Sequence, residues 1–214
     1  MVRNRVEIEE LENNDAYQLI KTIHHQEILP FIQKEFDRRN LIIHLFVIIN
    51  IALLTSSIFI GIQQVSSGTI SFWRMFLLWV GGAIAGSTLI IPIHELIHGI
   101  TYYLLGAPKV SYGWNPKQFY FFAVADRYVI NGTQMWPLAL GPFVIISVAC
   151  LMGIVYLGIY WQWFFWGLLV MHSLNCIGDF GMLSFFWEHR SKRLYTFDIV
   201  EHSVSYVYQI VDKK

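Results

Sequence analysis

Charged residues are scarce in this chain of 214 residues: they make up 14% of it, whereas soluble domains average about 25%. Hydrophobic residues make up 55% and aromatic residues 16%. This shortage of charge excludes an ordinary soluble domain and indicates an integral membrane protein embedded in a lipid bilayer. Basic and acidic residues number 15 each, so the net charge is zero and nothing in it favours a nucleic-acid partner.

Cysteines are also few, and a leader sequence is not apparent. The two cysteines, Cys150 and Cys176, both fall in predicted membrane spans, where we expect small core residues and no disulfide framework. The first 30 residues lack the apolar core of a cleavable signal peptide. We therefore expect membrane insertion to begin at the first long apolar stretch.

Four apolar stretches are long enough to cross a hydrocarbon core of roughly 30 Å. The fold class that they predict is an all-α membrane protein with four transmembrane helices. Pro92 predicts a kink in the second helix. Small residues in its first half predict close packing against another span. The predicted spans cover residues 41–62, 72–105, 136–160 and 162–187, and the small residues are Gly81, Gly82, Ala83, Ala85, Gly86 and Ser87.

These spans divide the chain into three parts. We expect a cytosolic N-terminal segment (1–40), a membrane domain (41–187) and a cytosolic tail (188–214). Of the 15 basic residues, only Arg74, near the start of the second span, falls on the opposite side of the membrane from the others. The positive-inside rule therefore predicts a multi-pass protein of the cell membrane, with both termini in the cytosol.

Some structure is also predicted outside the spans. Residues 15–29 resemble an amphipathic helix ended by Pro30, and residues 195–210 alternate in part as a strand does. Residues 118–130, followed by Asn131 and Gly132, favour a short interfacial β-hairpin. An interfacial loop anchored by aromatic side chains is an equally good interpretation of that stretch.

A His-Glu-x-x-His motif, His94 to His98, lies in the apolar run 89–100. The spacing of four places both imidazoles on one face of a helix, where they can share a zinc ion. Glu95 could then act as general base towards a water activated by that ion. An ionisable group in a span costs roughly 2.5–3.5 kcal/mol, which favours a functional role. The alternative is that these side chains only form hydrogen bonds to neighbouring helices.

Catalytic zinc usually takes three protein ligands, so two histidines leave the site incomplete. Asp179 in the fourth span is the preferred third ligand, with His172, Asp126 and Glu188 as alternatives. The second and fourth spans run in the same direction and reach His94 and Asp179 after roughly 30 Å and 25 Å, at 1.5 Å per residue. Both residues are therefore expected near the cytosolic boundary.

Asn175 lies on the same predicted helix face as Asp179 and His172. Its amide could donate a hydrogen bond to a developing oxyanion, which would make it a catalytic residue beside Glu95. A hydrogen bond between helices is nearly as good an explanation.

The motifs resemble those of membrane-embedded zinc metalloproteases of the site-2 type and, more closely, of the bacterial zincin peptidases of the DUF3267 class. The resemblance implies that His94, His98 and Asp179 bind the metal and that Glu95 is the catalytic base. Site-2 proteases commonly have an asparagine three residues after Gly-Pro, where this chain has Ile145. The segments that carry the resemblance are His94 to His98, Leu140 to Pro142 and Asn175 to Asp179.

The sequence thus predicts a membrane-embedded zinc metalloprotease that hydrolyses a peptide bond near the cytosolic membrane boundary, in a peptide or membrane-protein substrate. The main alternative is a non-catalytic four-span protein whose metal site is structural or regulatory. A transporter is disfavoured, because polar groups are sparse in the outer halves of the spans and no internal repeat is present.

Overall fold

The structure is a computed structural model and describes residues 6–115 and 120–211. Helices make up most of this part of the chain. They are α1 (Ile8–Asn13), α2 (Ile28–Asp37), α3 (Leu41–Ser66), α4 (Phe72–Ser87), α5 (Ile91–Leu104), α6 (Gly132–Tyr156), α7 (Ile159–Asn175) and α8 (Ile177–Glu188). Five of the basic residues in the orientation prediction lie outside the described residues: Arg3, Arg5, Lys117, Lys213 and Lys214.

Two helices, α3 and α6, are each long and apolar enough to cross a membrane. Two further candidates are bent pairs: α4 with α5 and α7 with α8, each bent by 43° at a short break. The described residues therefore contain two candidate membrane spans, or up to four when each bent pair is one span. This is a membrane protein, and the four predicted spans correspond in position to these elements.

The second predicted span is broken, and the break is not at the proline. Helix α4 ends at Ser87 and α5 begins at Ile91. Pro92 lies in the first turn of α5, where its missing N–H has no helical partner to lose. Pro92 thus marks the start of a new helix and does not kink a continuous one. This helix begins about one turn before the His-Glu-x-x-His motif.

Close packing of α4 against α7 depends on glycine. A Cβ atom at Gly82 would lie 1.8 Å from the carbonyl oxygen of Phe164, and one at Gly167 would lie 1.9 Å from that of Trp79. Gly81, by contrast, has open space beside it. The prediction that small residues of this helix pack against another span is confirmed, with α7 as the partner.

A four-stranded antiparallel sheet corrects the all-α fold class. Its strand order is β1 (Tyr17–His24), β6 (Val204–Ile210), β5 (Leu194–Ile199) and β4 (Ile130–Asn131). The predicted strand in the tail is confirmed, as two strands that form a hairpin. The predicted helix over 15–29 is wrong: this segment supplies β1, because its β-branched and aromatic residues pair with β6 from the far end of the chain. Pro30 lies in the first turn of α2 and does not end a helix.

A separate two-stranded hairpin consists of β2 (Ser111–Asn115) and β3 (Tyr120–Val124). The predicted hairpin therefore exists, but it begins earlier than expected, and Gln118 lies outside the described residues. Asn131 and Gly132 do not form its turn. Instead, Asn131 caps α6, and Gln134 completes a capping box by accepting the Asn131 backbone N–H.

Candidate metal centre

Helix α5 brings His94 and His98 together. The two residues are one helical turn apart, and their Nε2 atoms are 3.0 Å apart. Each side chain is about one-eighth exposed. The predicted geometry, two imidazoles facing one point from one helix face, is therefore present.

Asp179 reaches the same point from α8. One carboxylate oxygen lies 3.2 Å from His94 Nε2 and the other lies 3.3 Å from His98 Nε2. The next residue, Phe180, holds this part of α8 in place by packing against Phe46 of α3 and Phe143 of α6, with ring centroids 4.9 Å and 5.2 Å apart. The break between α7 and α8 at Cys176 puts Asp179 in the first turn of a new helix.

These three donors fit a zinc ion. Two imidazole nitrogens and a carboxylate are a ligand set that catalytic zinc sites use, with bonds of about 2.0–2.2 Å. Around a tetrahedral ion such bonds place neighbouring ligand atoms roughly 3.3–3.5 Å apart. The separations here are 3.0–3.3 Å, so a small adjustment of the side chains would accommodate the ion.

The remaining nitrogen of each imidazole also has a partner. His98 Nδ1 lies 2.9 Å from the carbonyl oxygen of Leu138, and His94 Nδ1 lies 3.2 Å from Nε2 of His172. Such contacts determine which ring nitrogen faces a metal. His172 was an alternative third ligand in the sequence, and the structure places it against the opposite nitrogen of His94 from Asp179. Its position seven residues before Asp179 was the signal in the sequence that this helix face approaches the motif.

Glu95 lies beside the same cluster, with a carboxylate oxygen within 4.8 Å of ligand atoms of His94 and His98. The backbone N–H of Ala123 in β3 donates a hydrogen bond to this carboxylate. The hairpin is therefore adjacent to the candidate general base, a relationship that sequence reasoning did not specify.

The other candidates have partners elsewhere. The Asn175 amide donates to the carbonyl oxygen of Gly86, 3.2 Å away, which is the interhelical bond named as its alternative role. Asp126 accepts the backbone N–H of Val200, and Glu188 is exposed at the end of α8. The oxyanion role of Asn175 stays a prediction.

Ligand-type atoms of His94, His172 and Cys176 also lie within 4.8 Å of one another. The Cys176 thiol, at the break after α7, however donates to the carbonyl oxygen of His172, and its side chain is fully buried. His94 faces this group through Nδ1, whereas its Nε2 faces His98 and Asp179. Both cysteines are free, as expected.

A His-Glu-x-x-His helix with an acidic side chain at the paired imidazoles is typical of zinc metallopeptidases. A family model with the description "Putative zincin peptidase" (DUF3267) matches residues 87–194, half of the chain. The chain belongs to this family, and thereby to the zinc metallopeptidases, a class of hydrolases. The matched region runs from the start of the α4–α5 break to the start of β5 and contains every residue of the candidate centre. No curated protein and no solved structure matches the chain.

Proposed function

We propose that the protein is a membrane-embedded zinc metalloprotease whose metal ligands are His94, His98 and Asp179 and whose general base is Glu95. The observation that carries the proposal is the convergence of three side chains from α5 and α8. The Nε2 atoms of His94 and His98 are 3.0 Å apart, and each lies 3.2–3.3 Å from a different carboxylate oxygen of Asp179. A structural metal site has no need for a fourth polar group, whereas a carboxylate beside the ligands is what peptide hydrolysis requires.

The depth of the site supports access to water. His98 contacts the carbonyl oxygen of Leu138, six residues after the first residue of α6. At 1.5 Å per residue this is about 9 Å inside that end of the helix. The same end of the bundle carries the four-stranded sheet, which α6 joins through β4. Cleavage would therefore occur near a membrane boundary.

Charge supports a cytosolic location for that boundary. Lys109 follows α5, Arg127 precedes α6, and Arg190, Lys192 and Arg193 follow α8. Arg74 contacts Tyr160, at the start of α7 and the opposite end of the bundle, where its Nη1 donates to the phenol oxygen at 2.9 Å. By the positive-inside rule the end with the sheet and both described termini faces the cytosol.

The proposed chemistry is hydrolysis of a peptide bond by water. A bound zinc ion supplies Lewis acidity, which polarises the carbonyl and lowers the pKa of a water towards about 7. Glu95 accepts a proton from the attacking water as the water oxygen bonds to the carbonyl carbon. Glu95 then gives that proton to the amide nitrogen as the C–N bond breaks.

The hairpin offers a means of holding the substrate. A peptide within a helix has its backbone groups already paired, so it must be extended before hydrolysis. Because the Ala123 N–H donates to Glu95, this part of β3 lies beside the candidate base. An unwound peptide could pair with an edge of β3 by strand addition, which would bring its carbonyl groups close to Glu95.

Glu95→Gln tests the proposal. We expect purified Glu95→Gln protein to keep stoichiometric zinc, because its three ligands are unchanged, and to lose cleavage by a factor of about 10² or more. Cleavage is measured on a pool of quenched fluorescent peptides in detergent, with the products identified by mass spectrometry. Glu188→Gln, a change of the same kind at an exposed site, is the control.

If Glu95→Gln cleaves as fast as wild type, Glu95 is not the base. Zinc-loaded wild type that cleaves nothing would favour the non-catalytic alternative, in which the metal locks α5 to α8.

A further inference from the structure

A cavity of about 1090 Å³ lies at the end of the helical bundle that carries the sheet. The end of α5, the start of α6, the end of α8 and the start of β5 surround it. Its volume slightly exceeds the usual range of small-molecule pockets, roughly 300–1,000 Å³. Because the ends of three apolar helices border it, we expect the cavity to lie at the depth where lipid headgroups meet the protein.

The cavity is basic. Arg190, Lys192 and Arg193 line it, and none of its described lining residues is acidic. Within the described residues, the carboxylate pairs of arginine involve Arg38 and Arg127, and neither Lys192 nor Arg193 has a carboxylate within ion-pair distance. This local charge therefore has no counterion from the described protein.

Arg190 is held in place at the cavity wall. Its Nη1 donates to the carbonyl oxygen of Trp187 at 2.9 Å, and its guanidinium lies over the Trp187 ring, 4.5 Å from the centroid. Trp136 packs edge-on against Trp187, with centroids 6.0 Å apart. Paired tryptophans next to basic side chains are typical of the interface between hydrocarbon and headgroups.

A second cavity in the same region provides a contrast. It has a volume of about 520 Å³ and contains three basic residues, but also Glu27 and Glu35. There, Arg38 Nε lies 3.0 Å from a carboxylate oxygen of Glu35. Acidic residues thus partly neutralise the basic charge of the smaller cavity, whereas the described residues that line the larger cavity include no acid.

We propose that the larger cavity binds the phosphate group of an anionic phospholipid. Guanidinium and ammonium groups are the side chains that bind phosphate, and arginine can do so with two parallel hydrogen bonds. Basic pockets between membrane helices at this depth suit anionic headgroups, and the tryptophans would contact the glycerol region. None of the residues that line the cavity is among His94, His98 and Asp179, so the site does not depend on the metal centre.

The double variant Lys192→Gln/Arg193→Gln tests this site and leaves the contact between Arg190 and Trp187 in place. Lys21→Gln/Lys34→Gln, in the smaller cavity, removes the same charge and is the matched control. The probes are phosphatidylglycerol, phosphatidylcholine and inorganic phosphate, each titrated into purified protein in neutral detergent. Native mass spectrometry measures bound lipid, and the thermal unfolding midpoint provides a second measurement.

Wild type and the control should bind phosphatidylglycerol in preference to phosphatidylcholine, with a raised unfolding midpoint. The double variant should bind it about thirtyfold more weakly, which corresponds to about 2 kcal/mol, or about 1 kcal/mol for each basic residue. Equal affinity in the double variant and the control would overturn the site. An equal rise in midpoint with inorganic phosphate would overturn the lipid and identify a free anion as the ligand.

Discussion

Nδ1 of His94 lies 3.2 Å from Nε2 of His172, while Nε2 of His94 faces Asp179 and His98. His172 is 1% exposed, and its own Nδ1 has no hydrogen-bond partner among the described residues. When His94 Nε2 binds a metal, the proton of that ring is on Nδ1, where it can be donated to His172. His172 therefore holds the ring of His94 in place, while its own buried Nδ1 has no hydrogen-bond partner among the described residues.

His172→Leu should separate this positioning role from a structural one. We expect zinc affinity to fall about 10- to 100-fold, because His94 loses the acceptor that orients it. The metal-free protein should be as stable as wild type or more stable, because an unpaired buried polar atom is removed. Competition with a chromophoric chelator measures the affinity, and thermal unfolding of the metal-free protein measures the stability.

His172→Gln is the conservative variant for that experiment, because the end of its side chain can occupy the place of Nε2. It should recover most of the zinc affinity. A glutamine variant as weak as the leucine variant would show that the contact with His94 does not position the ligand.

Metal content tests the ligand set itself. Asp179→Ala and His94→Ala should each lower zinc affinity by more than the change at His172, since they remove an atom that faces the metal position. Glu188→Gln, which changes an exposed acid on the same helix as Asp179, should keep wild-type zinc. Zinc is measured by elemental analysis after dialysis against a weak chelator. Stoichiometric zinc with full affinity in Asp179→Ala would remove Asp179 from the ligand set.

The features that sequence reasoning predicted well are those encoded locally. The apolar stretches depend on composition, and the described residues contain two to four candidate spans at those positions. The pairing of His94 with His98 depends on a spacing of four within one helix. Predicting that Asp179 approaches the histidines required one further inference. Because the second and fourth spans run in the same direction, His94 and Asp179 are expected at a similar depth. The structure brings these three side chains together, and their role as metal ligands stays a prediction.

What sequence reasoning missed depends on distant partners. Residues 17–24 have a helix-like pattern but form β1, because β6, almost two hundred residues later, offers an edge for pairing. Asn131 and Gly132 are favourable in a hairpin turn, yet asparagine is equally favourable as a helix cap, and here it caps α6. His172 was considered only as a ligand, since the sequence does not show which nitrogen of His94 faces which helix.

The contact between α4 and α7 predicts a large effect of adding one methyl group. Gly82→Ala and Gly167→Ala would each drive a Cβ into a carbonyl oxygen of the facing helix, at 1.8 Å and 1.9 Å. Backbone atoms cannot rotate away as a side chain can, so we expect a destabilisation of about 3 kcal/mol or more. Thermal unfolding in detergent is the measurement.

Gly81→Ala is the matched control for this contact, because nothing lies within 4 Å of the position that the added methyl group would take. Since alanine also favours the helix more than glycine does, this variant should be as stable as wild type or slightly more stable. If all three variants have the same unfolding midpoint, the two helices are not packed as described.

Glu35, in α2 outside the membrane spans, predicts a pH dependence of stability. Burial raises the pKa of this carboxyl above its ordinary value of 4.5, and the nearby Arg38 only partly opposes the shift. The folded protein therefore holds this proton more tightly than the unfolded chain does. As the pH rises from the ordinary value through the raised pKa, the stability that the protonated form contributes is lost.

Glu35→Gln should remove that loss. We expect its unfolding midpoint to depend less on pH above the ordinary carboxyl pKa of 4.5 and to exceed that of wild type once Glu35 is ionised, by about 2–4 °C for each kcal/mol gained. Arg38 would lose its partner but is exposed, so water can solvate it. Asp37→Asn, at an exposed position of the same helix, reports the effect of net charge alone. A Glu35→Gln midpoint that falls with pH as steeply as that of wild type would assign the pH dependence to another group.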